Sequence, residues 1–307
     1  MRAIDENTIT DAVLEQMAST LDPRLKEIMA VAVRHLHAFA REIALTPQEW
    51  LEGIRFLTAV GQKCTSYRQE CVLLSDVLGL SSLVNLLNEK TAAGSHTDAS
   101  VLGPYYRENS PPFELGQSIA TRTHGQEIAV YGRVMDSSGR GIPRATMQVW
   151  QTDEHGDYDM QRLDPSEMDL RGWCYTDSDG RYYFRSVRPQ GYSIPMDGPV
   201  GSLIRAQKRH GLRPSHIHFL IGAPGYRELV TALYPNDDEH VGSDTVFGVT
   251  DSLVVKITSG DPASPFPDLP GVRYDFQLAE AGKNQPSNRV GADPSQITRP
   301  AEARPFC

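Results

Sequence analysis

The spacing of apolar residues changes along this chain, and that change narrows the architectures open to it. Up to about residue 95 apolar positions follow a helical period. Leu25, Ile28, Met29, Ala32, Val33, Leu36, Phe39, Ala40 and Ile43 trace one face. Asp22-Pro23 opens that helix. Thr46-Pro47-Gln48-Glu49 is a capping box with proline at the first helical position, ahead of Trp50, Leu51, Ile54 and Leu57. Ser66-Tyr67-Arg68-Gln69 repeats the capping logic, and Gly79 interrupts the helical pattern that this second box opens. After residue 125 the pattern becomes short strands at 127–134, 146–151, 182–187, 217–221 and 252–257. Turn clusters such as Asp136-Ser137-Ser138-Gly139-Arg140-Gly141 and Asp177-Ser178-Asp179-Gly180 separate them.

These patterns predict a mixed, mainly β chain: an α-helical region over 1–95, an antiparallel β-sandwich over 96–280 and a polar, proline-bearing, extended tail over 281–307. With 307 residues the chain is long enough to bury a large core. A net charge of −9 argues against a nucleic-acid partner. No apolar run approaches the ~20 residues that span a bilayer, so no membrane insertion is expected. The N-terminus, Met1-Arg2-Ala3-Ile4-Asp5-Glu6, lacks the apolar segment of a secretory signal. Cys64, Cys71, Cys174 and Cys307 show no metal-binding spacing, so reduced thiols in a cytoplasmic protein are the default. Cys64 and Cys71 read as small packing residues.

The chemistry concentrates around His216-Ile217-His218. On a strand, residues two apart share a face, so both imidazoles project toward one point. Taken alone this pair fits a zinc half-site or surface residues as well as iron. No Asp or Glu lies at close spacing to complete a two-His, one-carboxylate Fe(II) set. Tyr192, framed by Pro189, Gly191 and Pro195, is placed to deliver a phenol oxygen to the same point. A free phenol titrates near ~10, so holding it as phenolate takes a hard, highly charged ion, for which Fe³⁺ is the biological candidate.

A second tyrosine, Tyr158, closes the segment Val149-Trp150-Gln151-Thr152-Asp153-Glu154-His155-Gly156-Asp157-Tyr158. With Pro189-Gln190-Gly191-Tyr192 and Arg213-Pro214-Ser215-His216-Ile217-His218 in that order, the chain resembles the intradiol ring-cleavage dioxygenases, the catechol and hydroxyquinol 1,2-dioxygenase family. Ser66-Tyr67-Arg68-Gln69-Glu70, Val101-Leu102-Gly103-Pro104-Tyr105-Tyr106, Gly180-Arg181-Tyr182-Tyr183-Phe184 and Ser243-Asp244-Thr245-Val246-Phe247-Gly248-Val249 extend the likeness over roughly residues 10 to 280.

The resemblance implies one non-haem Fe(III) per subunit, held by Tyr158, Tyr192, His216 and His218. It implies cleavage by O₂ of an aromatic diol or triol between its two hydroxylated carbons. Tyr192 would leave the metal and accept a substrate proton, Tyr158 and His216 would remain equatorial with His218 axial, and Arg213 would stabilise charge on the ring. The substrate wall would comprise Leu73, Asp76, Val101, Leu102, Gly103, Pro104, Tyr105, Ile194 and Pro195. The N-terminal helices would form a homodimer enclosing a tunnel for a phospholipid.

Asp76, able to accept a hydrogen bond from an extra ring hydroxyl, together with Ser243–Val249 and Glu108-Asn109-Ser110-Pro111-Pro112-Phe113-Glu114-Leu115-Gly116, resembles the hydroxyquinol branch of the family, which implies hydroxyquinol (benzene-1,2,4-triol) as substrate and a 3-hydroxymuconate or maleylacetate product. Catechol or a chlorocatechol is the alternative, and Ala232, where the family usually has a polar side chain, leaves that choice open. A β-sandwich binding module and a zinc hydrolase using His216 and His218 are the readings from other classes. His155, three residues before Tyr158, competes as a ligand, although the resemblance places no ligand there. Tyr175, Tyr182 and Tyr183 read as packing residues, and His35, His37, His210 and His240 as surface, capping or turn residues.

Overall fold

A computed structural model describes residues 4–65, 68–89, 96–164 and 166–281 and divides into two compact units, Met1–Ala59 and Val60–Cys307. The first holds α1 (Ile9–Gln16), α2 (Pro23–Glu42) and most of α3 (Pro47–Lys63). Asp22 caps α2 by accepting from the backbone N–H groups of Arg24 and Leu25. The expected capping box starts α3: Glu49 N–H donates to Thr46 Oγ1, and Thr46 N–H donates to the Glu49 carboxylate. The apolar face of α2 is not a core in this chain. Ile28, Met29, Leu36, Phe39 and Ile43 are all exposed, as are Trp50, Ile54 and Leu57 on α3.

In the second unit α4 (Glu70–Val77) and α5 (Leu80–Glu89) are separated at Gly79, whose φ of +73° breaks the helix. Two residues of the capping box expected before α4, Ser66 and Tyr67, lie outside the described residues. α4 packs on α7 (Pro199–Ala206), and its buried Glu70 accepts from Val200 N–H at 3.2 Å. Secondary structure therefore changes near residue 95, whereas compactness groups α4 and α5 with the strands. The segment 282–307, expected as a polar tail, lies outside the described residues. No single described helix is long and apolar enough to cross a membrane.

Two sheets enclose the core. In the first, β1 (Glu127–Met135) pairs antiparallel with β4 (Arg181–Val187) on one edge. Its other edge pairs in parallel with the short β10 (Gly271–Arg273) and β11 (Phe276–Gln277). The second runs β3 (Arg171–Tyr175), β2 (Thr146–Gln151), β7 (Ile217–Gly222), β8 (Leu229–Pro235), β9 (Val254–Val255). It is antiparallel except for β8 and β9. Tyr182 and Phe276 of the first sheet meet Phe219 of the second at ring-centroid distances of 6.4 and 4.9 Å, so the core lies between the sheets. Asp136 and Asp177 each close their turn by accepting two backbone N–H groups.

The mainly β architecture is as expected, with three short parallel ladders added. The strand expected over 252–257 is shorter: a 3₁₀ turn at Asp251–Leu253, then two strand residues. β8 escapes the alternation test because an internal strand buried on both sides has no polar face, and β3 is a short strand at the sheet's edge. Cys174 is a core residue. Cys64 and Cys71 are not the packing residues expected: Cys71 is exposed, Cys64 is half-buried, and their sulfurs lie 3.6 Å apart.

Candidate metal centre

Three segments of the second unit converge. After β2 the chain turns around Asp153, whose carboxylate accepts from His155 and Asp157 N–H. It then reaches Tyr158, the N-cap of α6 (Asp159–Arg162). Gly156 in this turn has φ +86°, and a Cβ there would lie 2.6 Å from the Gly191 carbonyl oxygen, so only glycine lets this loop approach the segment that carries Tyr192. Tyr192 belongs to β5 (Tyr192–Ser193), which pairs with β6 (Leu212–Arg213) so that Tyr192 opposes Arg213. His216 and His218 flank Ile217 at the start of β7, and their rings face one way as strand alternation requires.

His216 Nε2 lies 3.0 Å from His218 Nε2 and 3.3 Å from Tyr158 Oη. The Tyr158 and Tyr192 rings meet at 5.5 Å edge to face. Arg213 Nη1 lies 3.3 Å from His216 Nε2 and 3.5 Å from Tyr192 Oη. All five side chains are buried.

Burial sets their protonation. It raises the Tyr158 phenol well above its ordinary value, with the neighbouring phenols adding to the shift and Arg213 opposing it. It also raises the Tyr192 phenol, which Arg213 pulls back down by charge and hydrogen bond. Burial, reinforced by Arg213, lowers His216 to about 3, and with the charges of His216 and Arg213 it lowers His218 well below its usual range.

These donors fit a metal ion. His216 Nδ1 lies 2.7 Å from the Pro214 carbonyl, which makes it the N–H donor and leaves the Nε2 lone pair facing the other donors. The buried His218 Nδ1 finds no hydrogen-bond partner among the described residues. Two neutral imidazoles and two phenols converge in a water-poor site, each with a lone pair that a cation can take up. Adjacent donors of one ion at ~2.1 Å lie ~3 Å apart, the spacing the imidazole nitrogens already have. Among the described residues no group of three or more His, Cys, Asp and Glu is placed to hold a metal, so any site here must use tyrosine.

Of the wall residues named from sequence, Tyr105 and Gly103 reach the donors. Tyr105 stacks on Tyr158 at 4.3 Å and meets Tyr192 edge-on at 5.9 Å. Gly103 has φ +72°, and a Cβ there would sit 3.6 Å from the His218 ring. Leu73, Val101 and Ile194 are buried, Pro104 and Pro195 half-buried and Leu102 exposed. Buried Asp76 feels the charges of Arg213 and Asp244, and its carboxyl is raised chiefly by burial. Ala232 lies opposite His218 in the β7–β8 ladder. His155 is exposed beside Glu154 and takes no part. Tyr182 is packed in the core, and His210 and His240 face each other elsewhere.

Sequence reasoning missed the groups behind the donors. Asp244 grips Arg213 through both oxygens at 3.1 and 3.2 Å, and Tyr234 Oη approaches the same guanidinium at 3.4 Å. Trp150, opposite His218 in the β2–β7 ladder, stacks on it at 4.8 Å. Asp159, next to Tyr158, forms a fully buried pair with Arg171, which also donates to the Tyr105 carbonyl at 3.1 Å. A lone acid inside Ser243-Asp244-Thr245-Val246-Phe247 was the available signal for Asp244.

Residues 101–280 match the family described as Dioxygenase, and residues 22–96 match Catechol dioxygenase N terminus. The chain is 45% identical over 254 residues to a 6-chlorohydroxyquinol 1,2-dioxygenase of Cupriavidus pinatubonensis, covering 83% of this chain and 92% of that protein. A solved hydroxyquinol 1,2-dioxygenase from Pseudomonas putida superposes with a TM-score of 0.81 at 43% identity, over 90% of this chain and 99% of that one. A catechol 1,2-dioxygenase from Acinetobacter radioresistens superposes at 0.79 but with 26% identity, over 94% and 98%.

Proposed function

The chain belongs to the intradiol ring-cleavage dioxygenases, and from that premise we propose that it opens hydroxyquinol with O₂ between its two adjacent hydroxylated carbons. The observation that carries the reading is the convergence of Tyr158, Tyr192, His216 and His218 beside Arg213 in a buried site. We assign these four as ligands of one Fe(III). When bound, the ferric ion would supply Lewis-acid chemistry, drawing electron density from the substrate ring and making it reactive toward O₂.

The rest is done by side chains. Tyr192 Oη is the proton acceptor for one substrate hydroxyl, because it sits within reach of Arg213, whose charge favours the phenolate while Tyr192 carries no proton. Arg213, locked by Asp244, presents its Nη1 where negative charge builds on the ring. Among the described residues no such cation lies at hydrogen-bond distance from Tyr158, which stacks on Tyr105 and is followed by the Asp159–Arg171 pair, so it serves as the permanent phenolate. His216 is oriented by Pro214 and His218 by the Trp150 face.

The wall of Leu73, Asp76, Val101, Leu102, Gly103, Pro104, Tyr105, Ile194 and Pro195 selects the ring, with Asp76 accepting from the 4-hydroxyl. Relatives named for hydroxyquinol support the triol over catechol. Ala232 keeps the space opposite His218 open for a ring substituent. Two chains pair through the exposed apolar faces of α2 and α3, with a phospholipid in the tunnel between them, in a cytoplasmic dimer.

Oxygen uptake with hydroxyquinol, 6-chlorohydroxyquinol, catechol and chlorocatechols tests the assignment. The highest kcat/KM is expected for a hydroxyquinol, in a wine-red protein holding one Fe³⁺ per chain. Faster turnover of catechol removes the triol, and a colourless zinc protein removes the iron.

A further inference from the structure

The break between α3 and α4 places two thiols face to face. Cys64 follows the last turn of α3, and Cys71 sits in the first turn of α4. Thr65 and Arg68 are joined by reciprocal bonds: Thr65 N–H donates to the Arg68 carbonyl at 2.8 Å, and Arg68 N–H donates to Thr65 Oγ1 at 3.0 Å. Gln69 Nε2 adds a bond to the Thr65 carbonyl at 2.9 Å. The result is a sulfur–sulfur distance of 3.6 Å, with Cys64 Sγ also 3.5 Å from the Val60 carbonyl.

Neither residue packs the core, and neither belongs to the proposed iron site. Among the described residues no third ligand of the His, Cys, Asp or Glu type joins them, so the pair lacks the donors of a structural zinc site. What remains is thiol–disulfide chemistry between an exposed sulfur and a half-buried partner already in contact with it.

We infer that Cys64 and Cys71 form a redox-active dithiol that closes to an intrachain disulfide when it meets a small-molecule disulfide. Cys71, the exposed member, attacks first: its thiolate displaces one thiolate from the small disulfide and leaves a mixed disulfide on the protein, and the released thiolate takes up a proton. Cys64 then loses its proton and attacks the Cys71 sulfur, expelling the second small thiol. Two protein thiols are oxidised and one small disulfide is reduced to two thiols, so atoms and electrons balance. The new bond, about 2.05 Å long, closes the remaining gap with a shift of roughly 1.5 Å at the start of α4. It ties the end of α3 to the helix that carries Leu73 and Asp76. Cys174, buried in the core with its thiol raised to about 12 by burial, stays reduced.

The site is independent of the proposed activity and is tested without it. The full-length enzyme is incubated with glutathione disulfide, free thiols are alkylated, and trypsin is added without reductant. Cleavage after Lys63, Arg68 and Lys90 puts Cys64 in peptide 64–68 and Cys71 in peptide 69–90. The expected result is these two peptides joined, separated again by dithiothreitol, with Cys174 alkylated only after unfolding. Cys64→Ser is expected to trap glutathione on Cys71. Cys71→Ser is expected to slow modification of Cys64 by about 10-fold or more, because that sulfur is less accessible. A lasting glutathione adduct on Cys71 in the unmutated enzyme, both thiols remaining free, or Cys71 joined to Cys307 instead, each overturns the inference.

Discussion

The two phenols of the candidate centre sit in unlike surroundings. Tyr158 is clamped: Tyr105 stacks on one face, Gln161 caps its backbone, and the next residue, Asp159, is locked to Arg171, which also holds the Tyr105 carbonyl. Tyr192 stands on a two-residue strand, where its hydroxyl faces the Arg213 guanidinium. Burial alone would keep both phenols protonated, and among the described residues only Tyr192 has a cation within hydrogen-bond distance to counter it. Identical side chains thus acquire different tasks from what is packed behind them: one stays, and one exchanges a proton.

The largest test replaces each phenol in turn. Tyr192→Phe is expected to keep most of its iron and lose about 10²- to 10⁴-fold in kcat, the range for a general base. Tyr158→Phe should lose iron and visible absorption as well. Iron analysis and the visible spectrum read the contrast, and equal iron and equal residual rates in the two variants would dissolve it.

Next comes the clamp. Arg171→Met leaves the buried Asp159 carboxylate with the 3.3 Å contact to Arg107 and the backbone N–H groups of Met160 and Asp169 but without its closest cation, and breaking a buried pair costs about 3–5 kcal/mol. Urea unfolding of the metal-free protein measures this. A loss under about 1 kcal/mol would show that the Tyr158 side is not held by charge.

A smaller effect concerns the wall. Asp76→Ala is expected to lower kcat/KM for hydroxyquinol about 10- to 100-fold more than for catechol, because a hydrogen bond to a charged group is worth ~1.5–3 kcal/mol. A parallel loss on both substrates would make Asp76 a helix-stabilising residue instead.

The smallest is a matter of pH on the Tyr158 side. Burial tends to raise the Asp169 carboxyl, but five donors from Thr121, Arg122 and Thr123 outweigh it and hold the group below its ordinary 3.8. A lowered folded pKa contributes stability that is present above 3.8 and lost as pH falls through the folded value. Asp169→Asn should therefore flatten the stability profile below about pH 4 and leave its slope at neutral pH unchanged. An unchanged acid limb would show that these bonds add nothing.

Sequence alone was enough for features that local order encodes. His216 and His218 share a face because strand periodicity is two, Thr46 and Glu49 cap a helix because they are three apart, and Gly79 breaks one because it adopts a positive φ. The helix-to-strand change and the tyrosines of the donor set are likewise written in the chain. Only the tertiary structure paired Arg213 with Asp244, 31 residues away, and Asp159 with Arg171, and it alone set Trp150 against His218 across a ladder. It also left the α2 stripe exposed and turned Cys71 toward Cys64. The physical reason is shared by these cases. A periodic pattern states that a face is apolar or that two groups are neighbours on one element, whereas the partner of a buried charge or an exposed face is chosen by packing among segments distant in sequence.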